Sequence, residues 1–240
     1  MHKAKVHRET AASGQCRSCA YCNDRIPLFS ALTPEELNTL NHDRFSARFR
    51  PGELILKQGV TSTHVVHLIH GSARVLVEVG AERNLLVYLM KPWMLLDDAA
   101  ALEYVSNQFS VTALTDAQVC FIRADAYRKV LASNNRFAGE IIRQRYLTST
   151  LYLDRMVSLS QKSMSGRMAD GLLYLARDFY GSTRFESALS RQDLADLTAM
   201  SKDSAIRTLK ELERNEIISL SGNDIQIHKP ETLQKLAELT

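Results

Sequence analysis

Residues 190–214 read SRQDLADLTAMSKDSAIRTLKELER, and their spacing decides the fold of the C-terminal part of the chain. Ser190 opens a short helix through Leu197, with Asp193 three residues on to answer it. Thr198 to Met200 leaves room for one tight turn, and Ser201 caps a second helix through Arg214. This is helix-turn-helix spacing. At 100° per residue, Lys202, Asp203, Ile206, Arg207, Lys210 and Arg214 share an arc of about 140°, with Ala205, Leu209 and Leu212 opposite. One face is apolar and suited to a core; the other is rich in cations. Beyond it, Ile217–Leu220 and Ile225–His228 flank Ser221-Gly222-Asn223-Asp224, the pattern of a β-hairpin lying beside the helix pair as a wing.

Upstream, the periodicity lengthens. Between Arg136 and Leu159 the residues Phe137, Ile141, Ile142, Leu147, Leu151, Met156 and Leu159 recur at threes and fours, predicting one long amphipathic helix. Such a helix would leave an apolar stripe in water unless a second copy covered it, so a homodimer seam through Phe137, Ile141, Leu147, Leu151, Met156 and Leu159 is expected. A further helix is expected from Met168 to Tyr180, ended by Gly181.

Between Arg44 and Ile122 the pattern is different. Short β-branched and apolar stretches (Glu53–Lys57, His64–Ile69, Arg74–Val79, Leu85–Met90, Phe109–Leu114, Gln118–Ile122) are punctuated by Gly52, Gly59, Gly71, Gly80 and Pro92. Many short strands at near-regular spacing predict a double-sheet jelly-roll barrel. Before it, Thr33-Pro34-Glu35-Glu36 is a capping box that starts a short helix reaching Leu40. The expected organisation is α+β: a cysteine-rich segment at 1–25, a barrel sensor at 26–132, a dimerisation helix at 133–160 and a winged helix-turn-helix at 161–240.

Composition fits that plan. The 240 residues are 45% hydrophobic and 24% charged, the balance of a globular protein. No apolar run approaches the roughly 18–20 residues of a membrane span, and no apolar stretch follows the basic start, so the expected location is the cytoplasm. The net charge of +3 decides little. Residues 161–240 hold 11 basic and 12 acidic side chains, so a nucleic-acid surface there must come from local clustering.

The order of barrel, long helix and winged helix resembles the Crp/Fnr family of bacterial transcription regulators along nearly the whole chain. Ser190-Arg191-Gln192-Asp193-Leu194-Ala195 followed by Ser201-Lys202-Asp203-Ser204-Ala205-Ile206-Arg207 is similar to the family's recognition motif. The resemblance implies a homodimer that reads a DNA palindrome and contacts RNA polymerase, with no enzymatic activity. It implies DNA contacts from Arg191, Ser201, Lys202, Asp203, Ile206, Arg207, Lys210 and Arg214, with Arg207 as the base-reading arginine. Arg chelates guanine O6 and N7, and a carboxylate accepts from cytosine N4. Asp203 stands where the family usually has the longer Glu, and Ile206 brings an apolar group that suits a thymine methyl.

The barrel's effector follows from what it lacks and what it adds. The Gly-Glu pair and Arg-Ser-Ala segment of cyclic-nucleotide-binding members are absent. Met94-Leu95-Leu96-Asp97-Asp98 and Asn107-Gln108-Phe109-Ser110 stand there, with no cation for a phosphate, so cyclic AMP is not expected. A cupin-type metalloenzyme, the contrasting class, uses a His-x-His pair on one strand face. His64, His67 and His70 are three apart, which turns His67 away from the other two.

Cys16-x-x-Cys19-x-x-Cys22 gathers three of the four cysteines within seven residues, a spacing that lets thiolates converge on one metal centre. By resemblance, Cys120 stands where oxygen-sensing Fnr proteins carry their distant fourth ligand. Cys16, Cys19, Cys22 and Cys120 are thus expected to hold an iron–sulfur cluster of the [4Fe–4S] type responding to oxygen, nitric oxide or redox state. The first three are spaced more tightly than in the best-known Fnr proteins. Haem, zinc held by three cysteines and a histidine such as His7, a metal-free dithiol and another small-molecule effector are the alternatives.

Overall fold

A computed structural model describes residues 18–20, 26–80, 84–97 and 106–238. A 3-10 turn over Pro27–Ala31 leads into α1 (Pro34–Asn41). The Thr33 capping box is formed: the hydroxyl accepts from Glu36 N at 3.3 Å and the Glu36 carboxylate accepts from Thr33 N at 2.8 Å. Eight strands follow: β1 (Phe45–Phe49), β2 (Leu54–Leu56), β3 (His64–His70), β4 (Ala73–Glu78), β5 (Asn84–Met90), β6 (Leu95–Asp97), β7 (Ser110–Ala113) and β8 (Ala117–Arg123).

The strands make two antiparallel four-stranded sheets, ordered β1-β8-β3-β6 and β2-β7-β4-β5. Val66, Leu68 and Val119 from the first meet Val75, Met90 and Val111 from the second, so the barrel core lies between them. Strand alternation turns Val65 and Ile69 to the opposite face of β3, where Ile26, Leu28, Phe29 and Leu40 cover them. β3 is therefore buried on both faces over most of its length. The turn from β3 to β4 depends on Gly71, whose φ is +80° and whose added Cβ would stand 2.1 Å from the Asp116 carbonyl oxygen; only glycine fits.

Next come α2 (Ala124–Ser133) and α3 (Asn135–Gln161), the second about 40 Å long at 1.5 Å per residue. Asn134 separates them. Its side-chain oxygen accepts from Phe137 N at 2.9 Å, while its amide donates to Ala31 O at 2.9 Å and to Glu36 at 2.8 Å. The N-terminus of the long helix is thus locked onto α1.

α4 (Met164–Tyr174) opens into one wide π turn over Leu175–Phe179, then β9 (Arg184–Glu186), α5 (Arg191–Leu197), α6 (Lys202–Arg214), β10 (Ile218–Ser221), β11 (Asp224–Ile227) and α7 (Pro230–Glu238). β10, β11 and β9 form one antiparallel sheet beside the helix pair. The expected two-stranded wing has a third strand, and the helix expected to start at Met168 starts at Met164, capped by Ser163. Leu86, Leu89 and Leu114 of the barrel share a core with this C-terminal unit, and α5 packs on β5. Arg74 of β4 pairs with Asp193 of α5, and the Tyr174 hydroxyl accepts from Leu89 N at 2.9 Å. Among the described residues no helix is long and apolar enough to cross a membrane.

Candidate nucleic-acid interface and candidate metal centre

The helix pair is held by local hydrogen bonds. At the start of α5, Ser190 and Asp193 form a reciprocal capping box, with Asp193 accepting from Ser190 N at 2.9 Å. Thr198 is fully buried and donates to Leu194 O at 2.7 Å. Ala199 takes a positive φ of 49° to complete the turn, and Ser201 caps α6 by accepting from Ser204 N at 3.2 Å.

With the turn so fixed, Ala205, Thr208, Leu209 and Leu212 face inward. Lys202, Asp203, Arg207, Lys210 and Arg214 are exposed, as is Ser201, and Ile206 is half-buried at their edge. Arg207 extends past Ser204, to whose hydroxyl it donates at 3.2 Å. Arg191 is half-buried and donates to Gly222 O at 2.9 Å, which ties α5 to the wing. The arrangement is an exposed helix face carrying four cations, Lys202, Arg207, Lys210 and Arg214, a charge that suits a duplex groove.

The long helix divides its apolar residues between two surroundings. Phe137 and Ile141 are buried against their own chain with Phe29 and Tyr127. Leu147 and Met156 are exposed, Met156 at 60%, and Leu151 and Leu159 are half-buried. Ile142, Tyr146, Leu153 and Val157 extend the exposed apolar surface. The stripe expected as one seam is therefore two: its first turns serve the chain's own core, and the middle and end stay open.

Cys19 is 1% exposed and Cys120 is 3% exposed, and both belong to the cluster on the outer face of the β3–β8 pair. Cys19 N donates to Asn41 Oδ1 at 3.1 Å, and the same oxygen accepts from Arg44 Nε at 2.7 Å, which anchors this segment at the end of α1. Cys16 and Cys22 lie outside the described residues. Among the described residues no three His, Cys, Asp or Glu side chains gather closely enough to hold a metal.

His67 was expected to turn away from His64 and His70, and it does. It is 1% exposed, on the same cluster face as Cys120, while His64 is half-buried and His70 exposed. Its enclosure, and secondarily the charge of Arg145, push the imidazole pKa down to about 3, so the ring is neutral at physiological pH. Sequence reasoning also passed over Arg155 of α3, which donates to the Leu197 carbonyl at the end of α5. Nothing local in the sequence marks either contact.

Beside Asn107, whose side-chain amide donates to the Lys57 carbonyl at 3.2 Å, the Lys57 ammonium is engaged. Lys57 binds Glu78 at 2.5 Å, and the Ser110 hydroxyl donates to the same carboxylate. Between β4, β5 and α3 lies an open groove of about 430 Å³ walled by Val77, Leu85, Val87, Phe109, Tyr152 and Met156.

These parts define a winged-helix DNA-binding protein joined to a cyclic-nucleotide-binding-type barrel. Residues 46–134 match the cyclic nucleotide-binding domain and residues 166–236 the Crp-like helix-turn-helix domain. The chain is similar to the transcriptional activator protein Anr of Pseudomonas protegens, 22% identical over 244 residues that cover 98% of this chain and 96% of that one. It is likewise similar to a CRP-like cAMP-activated global transcriptional regulator of Mycobacterium tuberculosis, 20% identical, covering 89% of this chain and 97% of that one. The fold is shared with FixK2 of Bradyrhizobium japonicum at a TM-score of 0.72 and 18% identity, covering 80% of this chain and 96% of that one. The chain belongs to the Crp/Fnr family and is a DNA-binding transcription regulator, not an enzyme.

Proposed function

We propose that two copies of the chain pair along α3 and read a DNA palindrome through α6, under the control of an iron–sulfur cluster held by Cys16, Cys19, Cys22 and Cys120. The observation that supports the sensing half is the burial of Cys19 and Cys120 in one apolar cluster on the outer face of the β3–β8 pair. A [4Fe–4S] cluster takes four thiolates, and the chain has four cysteines. The cluster would supply chemistry that oxygen or nitric oxide attacks. The chain's own part is to fasten the N-terminal segment to β8, which runs directly into α2 and α3. Gain or loss of that fastening biases the long helix between two arrangements and so sets the spacing of the two α6 helices.

Arg207 reads guanine, Lys210 and Arg214 meet phosphates, and Met156 lies in the seam. RNA polymerase is the further partner expected of a regulator bound beside a promoter. Anaerobic reconstitution with iron and sulfide tests the sensing half: a broad visible absorption that is bleached by air is expected, and it should be lost in each of the four Cys→Ser variants. A normal cluster in Cys120→Ser would break the link from cluster to helix. Met156→Glu should lower the dimer mass in sedimentation, and an unchanged mass removes Met156 from the seam.

A second reading rests on the groove between β4, β5 and α3, whose apolar walls suit a hydrophobic effector rather than a nucleotide. It is favoured if the purified protein is colourless and Val87→Trp abolishes regulation while DNA binding persists.

A further inference from the structure

The last two turns of α3 present opposite faces to different neighbours. At 100° per residue Arg155, Ser158 and Lys162 fall within an arc of about 60°, and Leu153, Met156 and Val157 lie on the far side of the helix. The second set is exposed. The first set is bonded to the chain's own DNA-reading unit. The Ser158 hydroxyl donates to Asp170 Oδ2 of α4 at 2.5 Å, and the Lys162 ammonium donates to the same oxygen at 2.7 Å. Arg155 donates to the Leu197 carbonyl of α5.

Arg155 lies where an arginine is hard to keep. Burial holds its guanidinium below the ordinary arginine pKa, and its acceptor is a backbone carbonyl rather than a carboxylate. A methionine would fill much of the same space without desolvating a charge. What the guanidinium adds is a fixed point. The last carbonyls of a helix have no partner within it, and Leu197 is the last residue of α5, directly before the turn that aims α6. Leu197 and Thr198 are fully buried, and α4 approaches them closely at Gly171, where an added Cβ would stand 3.1 Å from Thr198 Cγ2. The end of α5 is thus gripped by α4 and, through Arg155, by α3.

We propose that Arg155, braced by Ser158, Lys162 and Asp170, is a positioning residue for half-site spacing: it fixes α6 relative to the dimer seam and so selects the length of the spacer between the two halves of the palindrome. This rests on the dimer and palindrome reading above. Adding one base pair to the spacer moves a half-site by about 3.4 Å along the duplex and about 35° around it. A reading unit free to pivot on the link between α3 and α4 would follow that movement. One bonded to the seam helix cannot. The seam face and the braced face belong to the same two turns of α3, so displacing α6 strains either the brace or the seam. Arg207 reads the bases, and Arg155 decides how far apart the two readings are made.

The test uses the full-length chain and duplexes carrying the inverted half-sites that it selects from random DNA, with the spacer lengthened or shortened one base pair at a time. The wild type is compared with Arg155→Met, which keeps an unbranched apolar stem and removes the guanidinium. Asp170→Asn is the second variant; it removes the charge that holds Lys162 and keeps an acceptor for Ser158. Sedimentation gives the dimer mass, and base changes within one half-site give the sequence preference. The wild type should bind its best spacing several-fold more tightly than the next. Arg155→Met should flatten that ratio several-fold, with dimer mass and base preference unchanged, and Asp170→Asn should flatten it less. A wild-type ratio in Arg155→Met overturns the inference. So does an equal loss of affinity at every spacing, which is what an arginine with only a structural role would give. If Arg155→Met yields no folded dimer, Asp170→Asn is read by the same criteria. A wild type that stays monomeric, or that binds a single half-site as tightly as the pair, overturns the dimer reading and this inference together.

Discussion

The helix-turn-helix and the sensor face of the barrel solve the same problem, fixing side chains for a ligand, by opposite means. Between Ser190 and Arg214 the capping and turn bonds join residues three to five apart: Ser190 with Asp193, Thr198 with Leu194, Met200 with Ala195, Ser201 with Ser204. The sensor face draws on Cys19, His67, Cys120 and Phe137, from four separate elements, and leaves an imidazole without a hydrogen-bond partner among the described residues. The first unit is held mostly by short-range bonds, with Arg74 and Arg155 reaching it from outside. The second is assembled from residues far apart in the sequence, so its order depends on packing between elements.

The comparison can be tested where each region depends on one side chain. Phe137→Ala should have the largest effect, about 3–5 kcal/mol of stability, because the ring is fully buried between Phe29 and Tyr127. Urea unfolding measures it, and a variant that keeps full stability but falls apart into monomers would move Phe137 from the sensor core to the dimer seam. Arg207→Ala should reduce discrimination for the palindrome by about 1–3 kcal/mol per half-site with little change in melting temperature. Equal affinity losses on specific and random duplexes would show that Arg207 meets phosphate instead.

Ser190→Ala removes one side of the α5 cap and should cost about 1 kcal/mol. If the helix pair is as locally built as its bonds indicate, the loss appears equally in the isolated C-terminal unit and in the whole chain. A loss confined to the whole chain would make the barrel contact the real support of α5. Lys210→Ala is the smallest of the four. Affinity should fall similarly on all sequences, and the slope of log affinity against log salt should flatten by about one unit. An unchanged slope would mean that Lys210 releases no counterion.

The same contrast explains which parts could be read from the amino acids. α6 was bounded correctly because a cap, a 3.6-residue period and a charged last turn lie within 14 residues. The long helix was nearly right, Arg136–Leu159 against Asn135–Gln161, since periodicity of that length is hard to mistake. What escaped were features settled at a distance. The separate α2 lies almost wholly within the 26–132 stretch assigned to the barrel and was not singled out, since the stop at Asn134 depends on Ala31 and Glu36. β9 is only three residues, and its pairing partner Asp224–Gln226 lies beyond the helix pair. Phe137 and Ile141 fit the seam's periodicity, and only the packing of Phe29 and Tyr127 shows that they are occupied within the chain. His67 was turned the right way by strand alternation, but its missing partners are visible only once β8 lies beside it.

One contact has a consequence for anyone recombining these parts. Asp193 completes the α5 cap and also receives Arg74 from the barrel, and its side chain is only 7% exposed. Grafting residues 161–240 onto a different sensor would strand that carboxylate unless the new barrel offered an arginine at the same point of β4, because a buried charge deprived of its partner is strongly destabilising. Chimeric regulators built from this chain should therefore be screened for that arginine before linker length, and a graft that fails should be rescued by Asp193→Asn, which keeps an oxygen for the cap and removes the charge.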